Sequence, residues 1–501
     1  MSRLAILFAT AEMAPWVKTG GLGDVAAALP AALHRAGHDV RVLIPAYPAM
    51  LKAFPQATRL AEIPPLAPGL PAARLLASES DGLPLILLDC PALFDRPGNP
   101  YLDPLGHDWA DNGIRFGLLS RVAALLGQGD SALDSALGSL PDSPLNPALG
   151  WRPDVVHLND WQTALAPAWL QDRGCAASIV TVHNIAFQGN FGASHLHALG
   201  LPAHAWRFDG VEFHGQLSFL KAGLQLATLI STVSPTYARE IQDEAFGYGL
   251  APLLRHRADA LRGILNGVDN ALWNPATDPA LAAPYAANRL AAKRENKRAL
   301  QSEMGLDAAV DRPLFGIISR LTEQKGLDLV LTLGEGITHL PAQLAILGSG
   351  DKTMEAGFRQ LAERHPGQIA FKHGFDEALA HRIEAGADSF LMPSRFEPCG
   401  LNQMYSLRYG TPPIVRATGG LADTVVDVSA ATLADKTANG FVIDEATPHT
   451  LWLALERANH CWHDRKLWQG IQQNGMRRDF SWAHAAEQYI ALYRDAIAAH
   501  H

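Results

Sequence analysis

The sequence predicts an α/β protein built on two doubly wound parallel sheets. Three observations carry this: short runs rich in Val, Ile and Leu recur along the chain, each gives way to a glycine or polar loop, and each loop leads into a stretch with helical periodicity. At 501 residues the chain is longer than one hydrophobic core usually organises, so at least two domains are expected.

In the first half the strand candidates are residues 4–8, 154–158, 179–182 and 229–233. In the second half they are residues 264–265, 314–318, 344–347, 369–371 and 390–392. The opening apolar run followed by Thr10-Ala11 has the outline of a signal peptide. It is shorter than the roughly 7 to 15 residues of an h-region and only Arg3 precedes it, so it reads as a buried first strand. Between residues 127 and 153 the composition shifts to Ser, Pro, Gly and Ala, which predicts a surface loop. The domain boundary is expected near residues 255–265. The charge run Lys293-Arg294-Glu295-Asn296-Lys297-Arg298 reads as a solvated helix face. After Ser481, Tyr489, Leu492, Tyr493 and Ala496 recur at helical spacing, so a terminal helix has one apolar face that must dock.

Composition narrows the function. With 48% hydrophobic and 18% charged residues the chain reads as globular, and a net charge of −9 leaves no basic footprint for nucleic acid. No apolar run reaches the roughly 18 residues of a membrane span. Cys90, Cys175, Cys399 and Cys461 form no Cys-x-x-Cys pair, which argues against a disulfide framework or zinc site and for a reducing cytoplasm.

The chemistry-bearing motifs sit where strands end. Lys18-Thr19-Gly20-Gly21-Leu22-Gly23-Asp24 opens a helix that Pro30 should kink and that Gly37 can close; such a turn brings backbone N–H groups and a cation to a phosphate. Alone it is a weak signal, since glycines also simply make turns. Arg320 and Lys325, after the strand at 314–318, offer a fork and a point charge for a diphosphate at a strand's carboxyl end. The loop from Arg395 through Glu397 and Cys399 to Gln403 puts a carboxylate ahead of a small-residue turn; Glu397 also fits the commoner role of an acid at a helix start, and Cys399 that of a small packed residue. Gly419-Gly420 places glycines before another helix. Asn159-Asp160-Trp161 and His183-Asn184 set polar side chains and an indole at two strand ends, a plausible sugar-binding wall. No Asp-x-Asp is present to hold a metal on a nucleotide diphosphate, so basic side chains are expected to do that work with no metal and no cofactor.

Taken together and in order, Lys18-Thr19-Gly20-Gly21-Leu22, His183-Asn184, Asn266-Gly267-Val268-Asp269, the Ser319–Gly326 run and the Pro393–Leu401 run make the chain resemble the bacterial glycogen synthases and plant starch synthases over nearly its full length. The resemblance implies a GT-B fold, two Rossmann-like domains facing each other across a cleft: residues 1–260 on the acceptor side, residues 261–480 on the nucleotide-sugar side, and a terminal helix at 481–501 crossing back to the first domain. It implies transfer of glucose from ADP-glucose to the non-reducing end of an α-1,4-glucan, with retention. On the donor side it sets Lys18, Gly20, Gly21, Asp24, Asn266, Arg320, Lys325, Phe375, Glu397, Cys399, Gly400, Leu401 and Asn402. Phe375 stands where an aromatic would lie on adenine. Tyr101, Asp160, Trp161, His183 and Asn184 match the acceptor and glucosyl side. Glu397, His183, Arg320, Lys325 and Lys18 are the expected catalytic group.

Glu397 is the single carboxylate in a loop suited to the anomeric centre, which points away from a two-carboxylate hydrolase and toward same-face attack. Two rivals remain at this level: another GT-B reaction such as a sucrose-synthase-like transfer or an epimerisation, and a glucan-binding protein without catalysis.

Overall fold

A computed structural model describes residues 2–128, 151–171 and 174–500. Most of the Ser- and Pro-rich stretch expected as a loop lies outside these residues. Strands are β1 (Ala5–Ala9), β2 (Asp39–Pro45), β3 (Thr58–Ile63), β4 (Ala73–Ser80), β5 (Leu83–Asp89), β6 (Val155–Asn159), β7 (Ala177–Val182), β8 (Asn190–Phe191), β9 (Glu212–Phe213), β10 (Gln216–Ser218), β11 (Leu229–Thr232) and β12 (Leu261–Gly263). The second half adds β13 (Leu314–Leu321), β14 (Gln343–Gly350), β15 (Ile369–His373), β16 (Ser389–Met392), β17 (Pro413–Arg416) and β18 (Phe441–Ile443). The chain divides into two compact units, Met1–Gly267 with Trp482–His501, and Val268–Ser481.

In the first unit nine strands run in the order β12-β11-β7-β6-β1-β2-β5-β4-β3, with β8, β9 and β10 forming a small separate sheet. The strands from β12 through β5 pair in parallel, while β4 and β3 join antiparallel at one edge. β6 and β7 are buried at every position, as parallel strands covered on both faces must be. The strand expected at 264–265 lies a few residues earlier, at β12, because Leu261 to Gly263 are the residues that register with Ile230 to Thr232. Pro30 is accommodated inside the unbroken helix Gly21–Arg35.

The terminal helix Trp482–His500 buries Tyr489, Leu492, Tyr493 and Ala496 and packs on the helix Gly21–Arg35 and on β7. A buried polar relay fixes it: the Tyr493 hydroxyl lies 2.8 Å from His157 Nδ1, His157 Nε2 lies 2.6 Å from Thr181 Oγ1, and Thr181 meets Ser231 at 2.5 Å. Burial lowers His157 to about 3, so the ring is neutral and acts as one donor and one acceptor.

The second unit holds a six-stranded, all-parallel sheet in the order β15-β14-β13-β16-β17-β18. Here one expectation fails. In the helix Lys293–Met304, Lys293 and Lys297 are buried, and only Arg294, Glu295 and Arg298 of the run face solvent. The two lysines stand one turn apart, on the face the helix turns inward. Lys293 Nζ donates to Ala385 O at 2.8 Å and Thr411 Oγ1 at 2.6 Å, and Lys297 pairs with Asp388 at 2.6 Å. Among the described residues no helix is long and apolar enough to cross a membrane.

Candidate active site

In both sheets the strand order reverses beside the first strand, β1 in one and β13 in the other, and ligands of open α/β sheets bind beyond the carboxyl ends at such a point. Most of the sequence-predicted residues lie at these two places, whereas Asn266 follows the edge strand β12 and Phe375 the edge strand β15.

In the first unit, β1 runs into Thr10-Ala11-Glu12. Glu12, which the sequence reading did not single out, is almost fully buried. Its carboxylate accepts from Thr19 N and Thr19 Oγ1, each at 2.6 Å, from Gly20 N at 3.4 Å and from the Tyr101 hydroxyl at 2.5 Å. It therefore ties the glycine-rich loop to Tyr101. Lys18 pairs with Asp24 at 2.7 Å across the start of the helix, and a Cβ on Gly23 would lie 3.2 Å from the Lys18 stem.

At the end of β6, Asp160 adopts φ +55, left-handed backbone that is uncommon outside glycine. The turn aims its buried carboxyl at the end of β7, where Oδ1 accepts from His183 N at 2.8 Å and Asn184 N at 3.3 Å. Burial pushes Asp160 up to about 7 against the opposing pull of those two amides, with Glu12 adding like-charge repulsion. Asn159 donates from Nδ2 to Ala9 O at 3.0 Å, so its Oδ1 is the acceptor for His183 Nε2 at 3.0 Å. That leaves Nδ1 of His183 as the ring's bare nitrogen. Enclosure lowers His183 to about 3, and the ring stays neutral even though an edge reaches solvent.

Trp161 is less of an open wall than its place in the sequence suggests. Its ring packs against Phe116, Phe191 and Phe219 with centroids 5.0, 5.8 and 6.2 Å away.

In the second unit, β13 extends to Leu321 and carries Arg320, which is exposed and forms no ion pair among the described residues. The turn that follows presents Lys325, whose Nζ meets the buried Glu397 Oε2 at 2.5 Å; Ser394 Oγ donates to the same oxygen at 3.1 Å. Lys325 is thus held by Glu397, and only Arg320 of the expected cation pair stands open. Glu397 does not act as a helix-start acid, since the helix begins at Asn402.

The loop after β16 is clamped by close backbone approach. A Cβ at Gly326 would fall 2.1 Å from Pro393 O, at Gly419 1.9 Å from Glu397 O and at Gly420 2.1 Å from Cys399 O. Cys399 is buried, Gly400 has φ +70, and Asn402 donates to Ile318 O at 2.8 Å, so the turn from Cys399 to Asn402 is anchored on β13. Phe375, next to Gly374 at φ +107, is 77% exposed and offers an open ring face. Asn266 is buried in the first unit, and its Oδ1 has no hydrogen-bond partner among the described residues.

Among the described residues no group of three or more His, Cys, Asp or Glu is arranged to hold a metal ion. His34 and His38 stand four apart, but the helix ends at Arg35 and His38 Nδ1 accepts from Leu4 N at 3.0 Å.

Residues 5–256 match the family described as the starch synthase catalytic domain, and residues 304–475 match the glycosyl transferases of group 1. A glycogen synthase from Dechloromonas aromatica is 74% identical, covering 99% of each chain. The chain belongs to the glycogen synthase family. A second glycogen synthase, from Nitrosomonas eutropha, is 51% identical over 98% of this chain and 96% of its own. Among solved structures, the catalytic domain of starch synthase IV from Arabidopsis thaliana bound to ADP and acarbose superposes with a TM-score of 0.83 at 33% identity, covering 99% of this chain and 100% of that one. The sucrose-phosphate synthase of Thermosynechococcus elongatus, at 19% identity and TM-score 0.57 over 99% and 100%, shares the fold. The protein is a glycosyltransferase of the GT-B fold, a glycogen synthase built from two Rossmann-like units.

Proposed function

We propose that this glycogen synthase moves glucose from ADP-glucose to the non-reducing end of an α-1,4-glucan, with retention and without a metal. The observations that carry the reading are a hydrogen-bonding strand-end cluster with a neutral imidazole in the first unit and, in the second, an exposed Arg320 beside the Lys325–Glu397 pair. A starch synthase homologue bound to ADP and acarbose supports the nucleotide and the glucan.

In this reading Arg320, with Lys18 and Lys325, neutralises charge building on the departing diphosphate. The bond from C1 to that diphosphate breaks, the acceptor's O4 bonds C1 on the same face, and the acceptor proton passes to the leaving phosphate. Asp160 and Asn184 hold sugar hydroxyls. Neutral His183 lies beside the oxocarbenium-like centre without the repulsion an imidazolium would bring. Glu397 holds Lys325 and meets the glucosyl hydroxyls, Phe375 lies on the adenine, and the Cys399–Leu401 turn offers N–H groups. Glu12 is a positioning residue for Thr19, Gly20 and Tyr101. Four free cysteines support a cytoplasmic setting.

The test is transfer of radiolabel to glycogen from ADP-glucose and UDP-glucose, with and without exhaustive EDTA. ADP-glucose should be the better donor and chelation without effect. Equal efficiency of the two donors overturns the assignment of the base, and activity lost on chelation and restored by Mg²⁺ overturns the metal-free mechanism.

A further inference from the structure

In the second unit the loops beside Phe375 are held from behind by one buried carboxylate. β13, β14 and β15 lie side by side and in parallel, with Arg320 opposite Ser349, Leu321 opposite Gly350 and Gly348 opposite His373. Their carboxyl ends form a row: Arg320, then the turn at Gly350, then the His373-Gly374-Phe375 loop. Main chain packs on main chain along this row. A Cβ on Gly350 would fall 2.4 Å from Leu321 O and one on Gly348 2.1 Å from Ser319 O, while Gly374 N donates to Gly348 O at 3.0 Å. Glycines in such a shelf let a flat ligand come close to backbone groups.

Glu355 lies in the first turn of the helix Lys352–Arg364. Asp351 caps that helix, accepting from Thr353 N and Met354 N at 2.9 Å each, so it is Asp351 and not Glu355 that answers the amides of the turn. Glu355 is only 6% exposed, and its Oε1 accepts from two different loops: from Gly350 N at 2.9 Å and from His373 Nε2 at 3.2 Å. The exposed Lys352 reaches the other oxygen at 3.3 Å. The Gly350 amide draws the carboxyl below its ordinary range, with Lys352 and His373 adding to it, so an anion stands here at neutral pH. A side chain that merely steadied the helix would have no use for the bond to His373, which comes from the neighbouring strand two residues before Phe375.

We infer that Glu355 is a positioning residue for the donor's base: by gripping both loops it fixes where Phe375 stands against the Gly348–Gly350 backbone, and so sets donor affinity and the preference for a purine without touching substrate. The inference rests on the proposed place of adenine on Phe375.

Glu355→Ala should raise KM for ADP-glucose on the order of tenfold, the scale of lost hydrogen bonds to a charged group, while kcat and KM for the glucan stay within about twofold. The ratio of kcat/KM for ADP-glucose to that for UDP-glucose should fall by a similar factor. Glu355→Gln keeps an acceptor oxygen for Gly350 N and His373 and should stay within about threefold of the wild type in every value. His373→Ala cuts only the link to the Phe375 loop. Its side chain is half exposed, so the melting temperature should hold while KM for ADP-glucose rises, and in the Glu355→Ala background it should add nothing.

A lowered melting temperature in Glu355→Ala with KM and donor preference as in the wild type makes Glu355 a structural prop and overturns the inference. Losses that add in the double variant overturn it too, because His373 would then meet the donor by itself. If Glu355→Ala does not fold, His373→Ala decides alone, and an unchanged KM for ADP-glucose there is the overturning result. Phe375→Ala separates the inference from the reading beneath it. An unchanged KM for ADP-glucose in Phe375→Ala breaks the placement of the base and the inference with it; a raised KM there beside an unchanged one in Glu355→Ala breaks the inference alone.

Discussion

The two strand-order reversals solve the same topological problem with opposite electrostatics. Beyond β1, β6 and β7 the buried carboxyls are answered by backbone amides and hydroxyls, Glu12 by Thr19, Gly20 and Tyr101, and Asp160 by the amides of His183 and Asn184, with the Lys18–Asp24 ion pair standing at the more open rim. Beyond β13 and β16 formal charge meets formal charge, Lys325 on Glu397 and Arg395 forked onto Asp328, with Arg320 left open to solvent. An enclosed site that presents dipoles suits a neutral sugar. A site with cations at a strand end, one of them open to solvent, suits a polyanion whose charge grows during reaction.

The sharpest way to break this contrast is Arg320→Ala. Loss of the open cation should lower turnover by on the order of 10² or more, measured as initial rate with saturating ADP-glucose. Near-normal turnover would mean that the second unit does not act through that charge. Lys325→Ala and Glu397→Ala should each cost roughly 10² in kcat, and because the two side chains form one unit the double variant should cost about as much as either single one. Additive losses would separate their roles.

On the other side of the comparison, Glu12→Gln keeps the shape but turns an amide N–H₂ toward groups that are themselves donors. A loss of about tenfold in kcat is expected together with a lowered melting temperature, since one buried donor left unanswered costs about 1–3 kcal/mol of stability. An intact kcat would remove Glu12 from the positioning of the loop.

Asp160→Asn should cost only a few-fold at neutral pH, but it should erase the limb of the pH–rate profile near 7 that the raised carboxyl gives the wild type. The same shift bears on stability. A carboxyl raised from 3.8 to about 7 stabilises the fold fully below pH 3.8 and loses that contribution as pH rises through 7. His183, lowered from 6.5 to about 3, works the other way, contributing above 6.5 and losing it as pH falls toward 3. The two oppose each other between about pH 4 and 6.5, so the rate profile is the cleaner readout. A variant profile identical to wild type would exclude Asp160 as the titrating group.

The smallest effect on activity is expected from Tyr493→Phe, whose hydroxyl meets His157 rather than a residue of either cluster. Removing the hydroxyl that meets His157 should lower stability by about 1–2 kcal/mol in denaturant unfolding and leave the rate unchanged. A rate that falls with the stability would extend the active cluster to the terminal helix.

How much of this was legible in the sequence follows the same divide. β6, β7 and β14 were readable because both of their faces are covered and the runs are almost uniformly apolar. β2 was missed because Asp39 and Arg41 interrupt it, and β3 and β4 because one face of this antiparallel edge is open to water. Arg320, Lys325, His183 and Asp160 stood out as polar side chains immediately after apolar runs. Glu12 did not, because its partners lie 7 and 89 positions away and nothing local distinguishes it from a surface acid. Lys293 and Lys297 misled for the complementary reason: their acceptors are Ala385 O, Thr411 and Asp388, far along the chain, and a lysine without a visible partner reads as solvated.

The course of the chain through its two units bears on how the protein is made. Val268–Ser481 is one continuous stretch, whereas the first unit stays unfinished until Trp482–His501 has been added. On a ribosome the later-encoded unit has all its residues while the earlier one still lacks the helix that carries Tyr489, Leu492 and Tyr493. Until that helix is made, His157 lacks its Tyr493 partner, and a nonsense codon at Trp482 would release a chain whose second unit is complete and whose first is not.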